Sequence, residues 1–214
     1  MEWMMALTFT SKFCIFAPML NIIIFGPPGA GKGTQSAKLI EKFGLKHIST
    51  GDLLRAERKA ETALGIQANE FISKGELVPD SVVVGMVENF MAANEESKGF
   101  IFDGFPRTIP QADALDHLLE AHKTRIAIVL GLEVNEDELV KRLLARGKES
   151  GRADDQNEDT IRNRFSEYNA KTQPLINYYK SQDKYTGVDG MGEIDRIFED
   201  LSKAILKLNG SAGL

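Results

Sequence analysis

A single cysteine, Cys14, stands among 214 residues, so no internal disulfide can form and an intracellular, cytoplasmic setting is expected. No run approaches the roughly 18 apolar residues that cross a bilayer, so no membrane partner is expected. A surplus of positive charge is also missing. With 26 Lys and Arg against 31 Asp and Glu, the formal net charge is −5. That argues against a nucleic-acid groove, although local basic clusters can still grip phosphates. The histidines His47, His117 and His122 lack metal-ligand spacing and a paired nucleophile, so no catalysis is assigned to them. There is no internal repeat and no low-complexity tract. Hydrophobic content of 43% and charged content of 27% are those of an ordinary globular chain, long enough to bury one good core.

Residues 1–18 are apolar but carry Glu2 near the start, no basic leader, and Lys12 as their one cation. They make a poor signal peptide and, without arginine, a poor transit peptide. Met19 directly precedes the first core strand, so 1–18 is expected to be an N-terminal extension and 19–214 the core.

What is present centres on Asn21–Gln35, NIIIFGPPGAGKGTQ. Ile22, Ile23, Ile24 and Phe25 suit a strand buried on both faces of a parallel sheet. The glycine-rich turn Gly26–Lys32 follows, then a helical pattern with Leu39, Ile40 and Phe43 on one side. Strand, glycine loop and helix together are the layout of a phosphate-binding loop. Backbone N–H groups of Gly29, Ala30, Gly31, Lys32, Gly33 and Thr34 can converge on an anion at the helix N-terminus, and Lys32 adds a mobile full charge. The general pattern places Ser or Thr after the lysine to hold Mg²⁺. Gly33 stands there instead, with the hydroxyl one place later at Thr34, so the metal is expected on substrate oxygens and water. That favours a small-molecule kinase.

Beyond this loop, His47–Ser49 reads as a strand and Thr50 as the cap of a following helix. Glu61–Lys74 reads as a helix closed by Gly75, and Asp80 or Ser81 as the cap of a helix carrying Val84, Val87 and Met91. Phe100–Asp103 and Arg125–Leu132 read as buried strands, with Gln111 to His122 helical between them. Glu136–Arg146 is expected to be helical with Leu139, Leu143 and Leu144 inward. The glycine-flanked stretch 147–155 is expected to be a mobile loop. Residues 157–180 are expected to form a long helix bent near Pro174. Tyr185–Asp189 reads as the last strand, before a closing amphipathic helix. Alternation of strands and helices predicts an α/β fold, a doubly wound parallel sheet of about five strands.

Arg55, Arg107, Arg142, Arg146, Arg152 and Arg164 sit at loop edges and helix starts rather than in a charge run. Phosphoryl transfer needs mainly positioning and charge neutralisation, for which the planar guanidinium fork is suited. Asp103, ending a strand beside the loop, is the candidate for a water-mediated Mg²⁺ contact. Asp154 and Asp155 have two roles open to them, a metal or the neighbouring arginines, and the arginine-rich surroundings favour pairing.

The motifs GPPGAGKGTQ (26–35), HISTGDLLR (47–55), GELVPD (75–80), IFDGFPRTIPQA (101–112) and GRADD (151–155) resemble adenylate kinases over residues 19–209. The resemblance implies reversible, Mg²⁺-dependent transfer of the ATP γ-phosphoryl group to AMP, giving two ADP, in a monomeric purine-nucleotide kinase. It implies a P-loop NTPase-like fold with an AMP-binding insertion at 49–78 and a short lid at 146–156, without a zinc site. By the same resemblance, Thr50, Arg55, Glu76, Leu77, Val78, Gly104, Phe105, Pro106, Arg107 and Gln111 look like the AMP site. Arg142 and Arg146 resemble lid-hinge arginines, Arg142 lying against the ATP adenine. Arg152 and Arg164 resemble those that clamp phosphates when the lid closes and count with the AMP site, and Gly192 resembles a backbone contact to the ATP base. Gln111 and Thr50 favour adenine over the bases taken by the related UMP/CMP kinases, which remain an alternative. A switch GTPase would need Asn-Lys-x-Asp, which does not occur. A nucleotide-sensing module without turnover could have lost the arginines, which are all present.

Overall fold

The computed structural model describes residues 19–211; the expected extension at 1–18 and the last three residues lie outside that range. Five parallel strands form one sheet in the order β2-β3-β1-β4-β5. They are β1 (Asn21–Phe25), β2 (Lys46–Ser49), β3 (Phe100–Asp103), β4 (Ile126–Glu133) and β5 (Tyr185–Asp189). In the centre, Ile22 lies opposite Ile101 on one side and Ile128 on the other. Successive side chains of a strand face opposite sides, and β1 uses both. Ile23 and Phe25 pack into one core and Ile22 and Ile24 into another.

The first core is closed by α4 (Asp80–Ala92), α5 (Ile109–Ala121) and α8 (Pro174–Lys180), through Val87, Leu115, Leu119, Leu175 and Tyr179. The second is closed by α1 (Lys32–Phe43), α6 (Glu136–Ser150), α7 (Glu158–Glu167) and α9 (Ile194–Ser211), through Leu39, Leu143, Ile161 and Leu201. Each large apolar side chain so buried contributes roughly 1.5–3 kcal/mol. Asn21, fully buried, ties the base of the sheet together. Its Nδ2 donates to Thr124 Oγ1 and the Arg125 carbonyl, and its Oδ1 accepts from Phe100 N–H. Two short helices, α2 (Thr50–Lys59) and α3 (Ala63–Ile72), stand between β2 and α4.

Several local expectations are corrected. Ser49, not Thr50, caps α2, its hydroxyl accepting Asp52 N–H; Thr50 instead donates to the Gly104 carbonyl at 2.9 Å. Neither Asp80 nor Ser81 caps α4; Pro79 holds that position with no side-chain cap. Leu144 is not inward but 38% exposed. The break expected from Gly147 begins later, because α6 continues to Ser150 and ends on Gly151 at φ 67°. Gly147 is used for close approach: a Cβ there would lie 2.6 Å from the Asp155 carbonyl oxygen. The bend expected near Pro174 is carried by a π turn over Tyr168–Thr172, after which Pro174 opens α8.

Candidate active site

The connection from β1 leads toward one edge of the sheet and that from β4 toward the other, so a crevice opens at the carboxyl ends of these strands. The glycine loop fills its floor. Gly31, at φ 89°, is the N-cap of α1, and no side chain caps this helix. The first amides of α1 are therefore left without a side-chain partner, at the positive end of the helix dipole. Lys32 Nζ donates to the carbonyls of Gly26 and Pro27 at 2.8 and 3.0 Å. Burial, with Arg107, Arg164 and Arg146 nearby and only partly offset by Asp103, lowers its pKa to about 8.

One cleft gathers many of the expected residues. It is lined by Lys32, Thr50, Arg55, Glu76, Leu77, Val78, Gly104, Phe105, Pro106, Arg107, Gln111 and Arg164. Arg107 folds back so that its Nε donates to the Gly104 carbonyl at 2.8 Å. Burial, and then the neighbouring Arg164 charge, lower its pKa to about 10. Like charges are thus held together inside the protein, a costly arrangement that an anionic ligand relieves.

The other arginines stand around this cleft rather than in its lining. Asp155, buried with no exposed side-chain surface, accepts Arg146 Nε at 2.6 Å and Arg164 Nη1 at 2.5 Å. Asp154 takes Arg164 at 2.9 Å. Both aspartates therefore serve the arginines. Burial works against the Asp155 charge, but the hydrogen bond from Arg146 and the two guanidinium charges outweigh it, and its pKa lies below the usual carboxylate value. Arg152 reaches across to Asp52 at 3.7 Å, where Arg55 is also bound. Arg142 pairs with Glu138 at 2.9 Å and points both terminal nitrogens at the Gly190 carbonyl at 3.4 Å, which places it beside the turn containing Gly192. Gly29, Ala30, Gly31, Gly33 and Thr34 belong to the loop and the first turn of α1, outside the enclosed lining.

Asp103 lies at the carboxyl end of β3, 3.5 Å from His47 Nε2. A Cβ built on Gly33 would lie 3.8 Å from Asp103 Oδ2. With no side chain at Gly33 that side of the carboxylate stays uncovered, and a single carboxylate so placed would suit a water-mediated contact to Mg²⁺, which keeps several waters. Among the described residues, no three His, Cys, Asp or Glu side chains come together as a metal cage.

Some cleft residues went unnoticed in the sequence. Thr172, inside the π turn, donates to the Arg107 carbonyl at 2.9 Å. Tyr168, from the same turn, lines the cleft. A π turn has no sequence signature, although Pro174 marked the irregularity. Thr108 and Gln111 were legible as a capping box, Thr-x-x-Gln. Thr108 Oγ1 accepts Gln111 N–H at 3.3 Å, while the Gln111 side-chain Oε1 accepts Arg107 N–H at 2.8 Å, one residue earlier than the standard box. Gly75, at φ 76°, marks where the segment after α3 meets α7. There Asn163 Nδ2 donates to the Lys74 carbonyl at 2.6 Å.

A family profile described as adenylate kinase matches residues 24–184. An adenylate kinase of Bacteroides fragilis is 53% identical over 187 residues, 87% of this chain and 98% of the relative. One of Flavobacterium psychrophilum is 52% identical over 190 residues, 89% of this chain and 100% of the relative. One of Porphyromonas gingivalis is 51% identical over 179 residues, 84% and 92% of the two chains.

Proposed function

The chain belongs to the adenylate kinase family, and on that premise we propose how its cleft seats two nucleotides. Its reaction is the reversible transfer of the ATP γ-phosphoryl group to AMP, giving two ADP. ATP lies with its phosphates on the Gly29–Thr34 loop and its base between Arg142 and Gly192. AMP lies on the 49–78 segment, with its phosphate at Arg55 and Arg107 and its base at Gln111. The observation that carries this map is the gathering of four cations, Lys32, Arg55, Arg107 and Arg164, in the lining of one cleft, an arrangement suited to anions.

Transfer between two phosphates demands little covalent chemistry of the protein. Lys32 holds the transferring group from the donor side, and Arg107, Arg152 and Arg164 hold the acceptor. No general base is required, because the AMP phosphate is already anionic at neutral pH. Asp103 would hold the water shell of Mg²⁺, which supplies charge neutralisation on the donor phosphates. Residues 146–156 act as the lid. Arg152 leaves Asp52 for substrate phosphate as the lid closes, and closure excludes water that would otherwise hydrolyse the donor.

We assign the protein to the cytoplasm as a monomer with no nucleic-acid partner. The net charge of −5 supports the last point. No helix among the described residues is long and apolar enough to cross a membrane. The decisive assay measures ADP formed from ATP with AMP, UMP, CMP or GMP as acceptor. AMP is expected to be the best acceptor, and a faster rate with UMP or CMP would overturn the substrate assignment. Arg107→Ala is expected to raise the KM for AMP far more than that for ATP; equal losses would overturn the site map.

A further inference from the structure

Gln111 is nearly sealed from solvent, at 2% exposure, and its amide is held at both ends. The backbone N–H of Arg107 donates to Oε1 at 2.8 Å, and Nε2 donates to Asp80 Oδ1 at 2.7 Å. A backbone N–H can only donate and a carboxylate can only accept. These two neighbours therefore admit one of the two amide orientations. A flipped amide would set donor against donor and oxygen against carboxylate in a place closed to water.

Asp80 is itself anchored for this task. Thr108 Oγ1 donates to its second oxygen, Oδ2, at 2.8 Å, and Thr108 is the N-cap of α5. Although Asp80 opens α4, its carboxylate caps no amide of that helix. Both oxygens instead reach across to α5. Its place in the first turn of α4 suits its charge, but that alone does not direct both oxygens toward Thr108 and Gln111.

Once its two protein bonds are made, the Gln111 amide keeps one N–H and one lone pair, and the residue lines the cleft. A neighbouring donor and acceptor match the edge of a 6-aminopurine, which offers the N1 lone pair and the N6 amino group. A 6-oxopurine offers the reverse, an N1–H donor and an O6 acceptor, and a flipped amide would read it equally well. We propose that Asp80 is a positioning residue that locks the Gln111 amide in the orientation accepting 6-amino and rejecting 6-oxo purine monophosphates. This rests on the assignment of the AMP base to Gln111. The discrimination arises by penalising the wrong base as much as by welcoming the right one.

The test compares AMP with inosine monophosphate, its 6-oxo counterpart, as acceptor and as competitive inhibitor. The wild type is set beside Asp80→Asn, Asp80→Ala, Thr108→Val and Gln111→Leu. Asn at position 80 keeps the volume but can face Gln111 with either its oxygen or its amide nitrogen. The preference for AMP over inosine monophosphate is expected to fall about tenfold in Asp80→Asn and Asp80→Ala. The KM for AMP should rise while the KM for ATP stays within about twofold. Thr108→Val, which unties Asp80 and also removes the cap on Gln111 N–H while leaving the Gln111 side-chain amide in place, should shift the preference in the same direction by less. A preference unchanged within about twofold in both folded Asp80 variants overturns the proposal, even if activity falls, because a merely structural residue would weaken both purines alike. If Gln111→Leu leaves the KM for AMP unchanged, the base assignment fails and the proposal with it. If that control weakens AMP but the Asp80 variants keep the preference, only the proposal fails.

Discussion

Lys32 offers a sharp measurement, because its charge is held at a cost until phosphate arrives. Its pKa falls from the ordinary 10.5 to about 8, chiefly through burial. At 1.36 kcal/mol per pH unit, keeping it protonated in the folded protein without nucleotide costs at most about 3 kcal/mol, the side chain retaining some opening to the cleft. The folded-state value lies below the unfolded one. This group therefore adds stability as pH rises from about 8 toward 10.5, where the unfolded chain binds the extra proton. Nucleotide binding has the opposite dependence, because polyphosphate demands the ammonium. By proton linkage, the ATP dissociation constant should rise about tenfold between pH 7.5 and pH 9, whereas a lysine of ordinary pKa would leave it nearly flat. Titration calorimetry in buffers of different ionisation heat should also record uptake of most of one proton per ATP at pH 9. Lys32→Met should bind ATP weakly with neither the pH slope nor the proton uptake, and should not turn over. A flat dissociation constant for the wild type across this range, or the same slope in Lys32→Met, would refute the reasoning.

Asp155→Asn keeps the shape of the side chain but strips the charge that Arg146 and Arg164 share, and should lower unfolding stability by about 3 kcal/mol or more near neutral pH. Because the folded pKa of Asp155 is depressed, its contribution is present above the ordinary 3.8 and disappears as pH falls through the folded value. The gap between wild type and variant in denaturant melts should therefore close in acid. Leu115→Ala, at a site 1% exposed, should cost about 2–5 kcal/mol. Leu144→Ala, at a site 38% exposed, should cost within about 0.5 kcal/mol. Calorimetric melting separates the two, and similar costs would contradict the burial described for Leu115 on α5 and the exposure described for Leu144 on α6.

The elements legible from sequence were those whose signals are local. The apolar run of β1, the glycine turn after it and the 3.6-residue spacing of Leu39 and Phe43 depend only on near neighbours along the chain. Capping was half legible. Ser49 and Thr50 carry equivalent hydroxyls, and which one caps α2 depends on the Gly104 carbonyl, 54 residues from Thr50, which draws the Thr50 hydroxyl away. Gly147 looked like a breaker because glycine weakens helices, yet the close approach of the Asp155 backbone requires it inside one.

From sequence alone came the glycine loop between an apolar strand and a helix, the arginines at loop edges and helix starts, and a glycine rather than a hydroxyl residue after Lys32. Those properties follow from residue type and spacing. Only the tertiary structure decided what each charged side chain does. It placed Asp155 between Arg146 and Arg164, set Arg152 against Asp52 across the cleft, and joined Asp80 to Gln111 over a separation of 31 residues. The reason is physical. A carboxylate is equally able to cap a helix, hold a metal or orient an amide, and its choice depends on which donors the folded chain brings within about 3 Å.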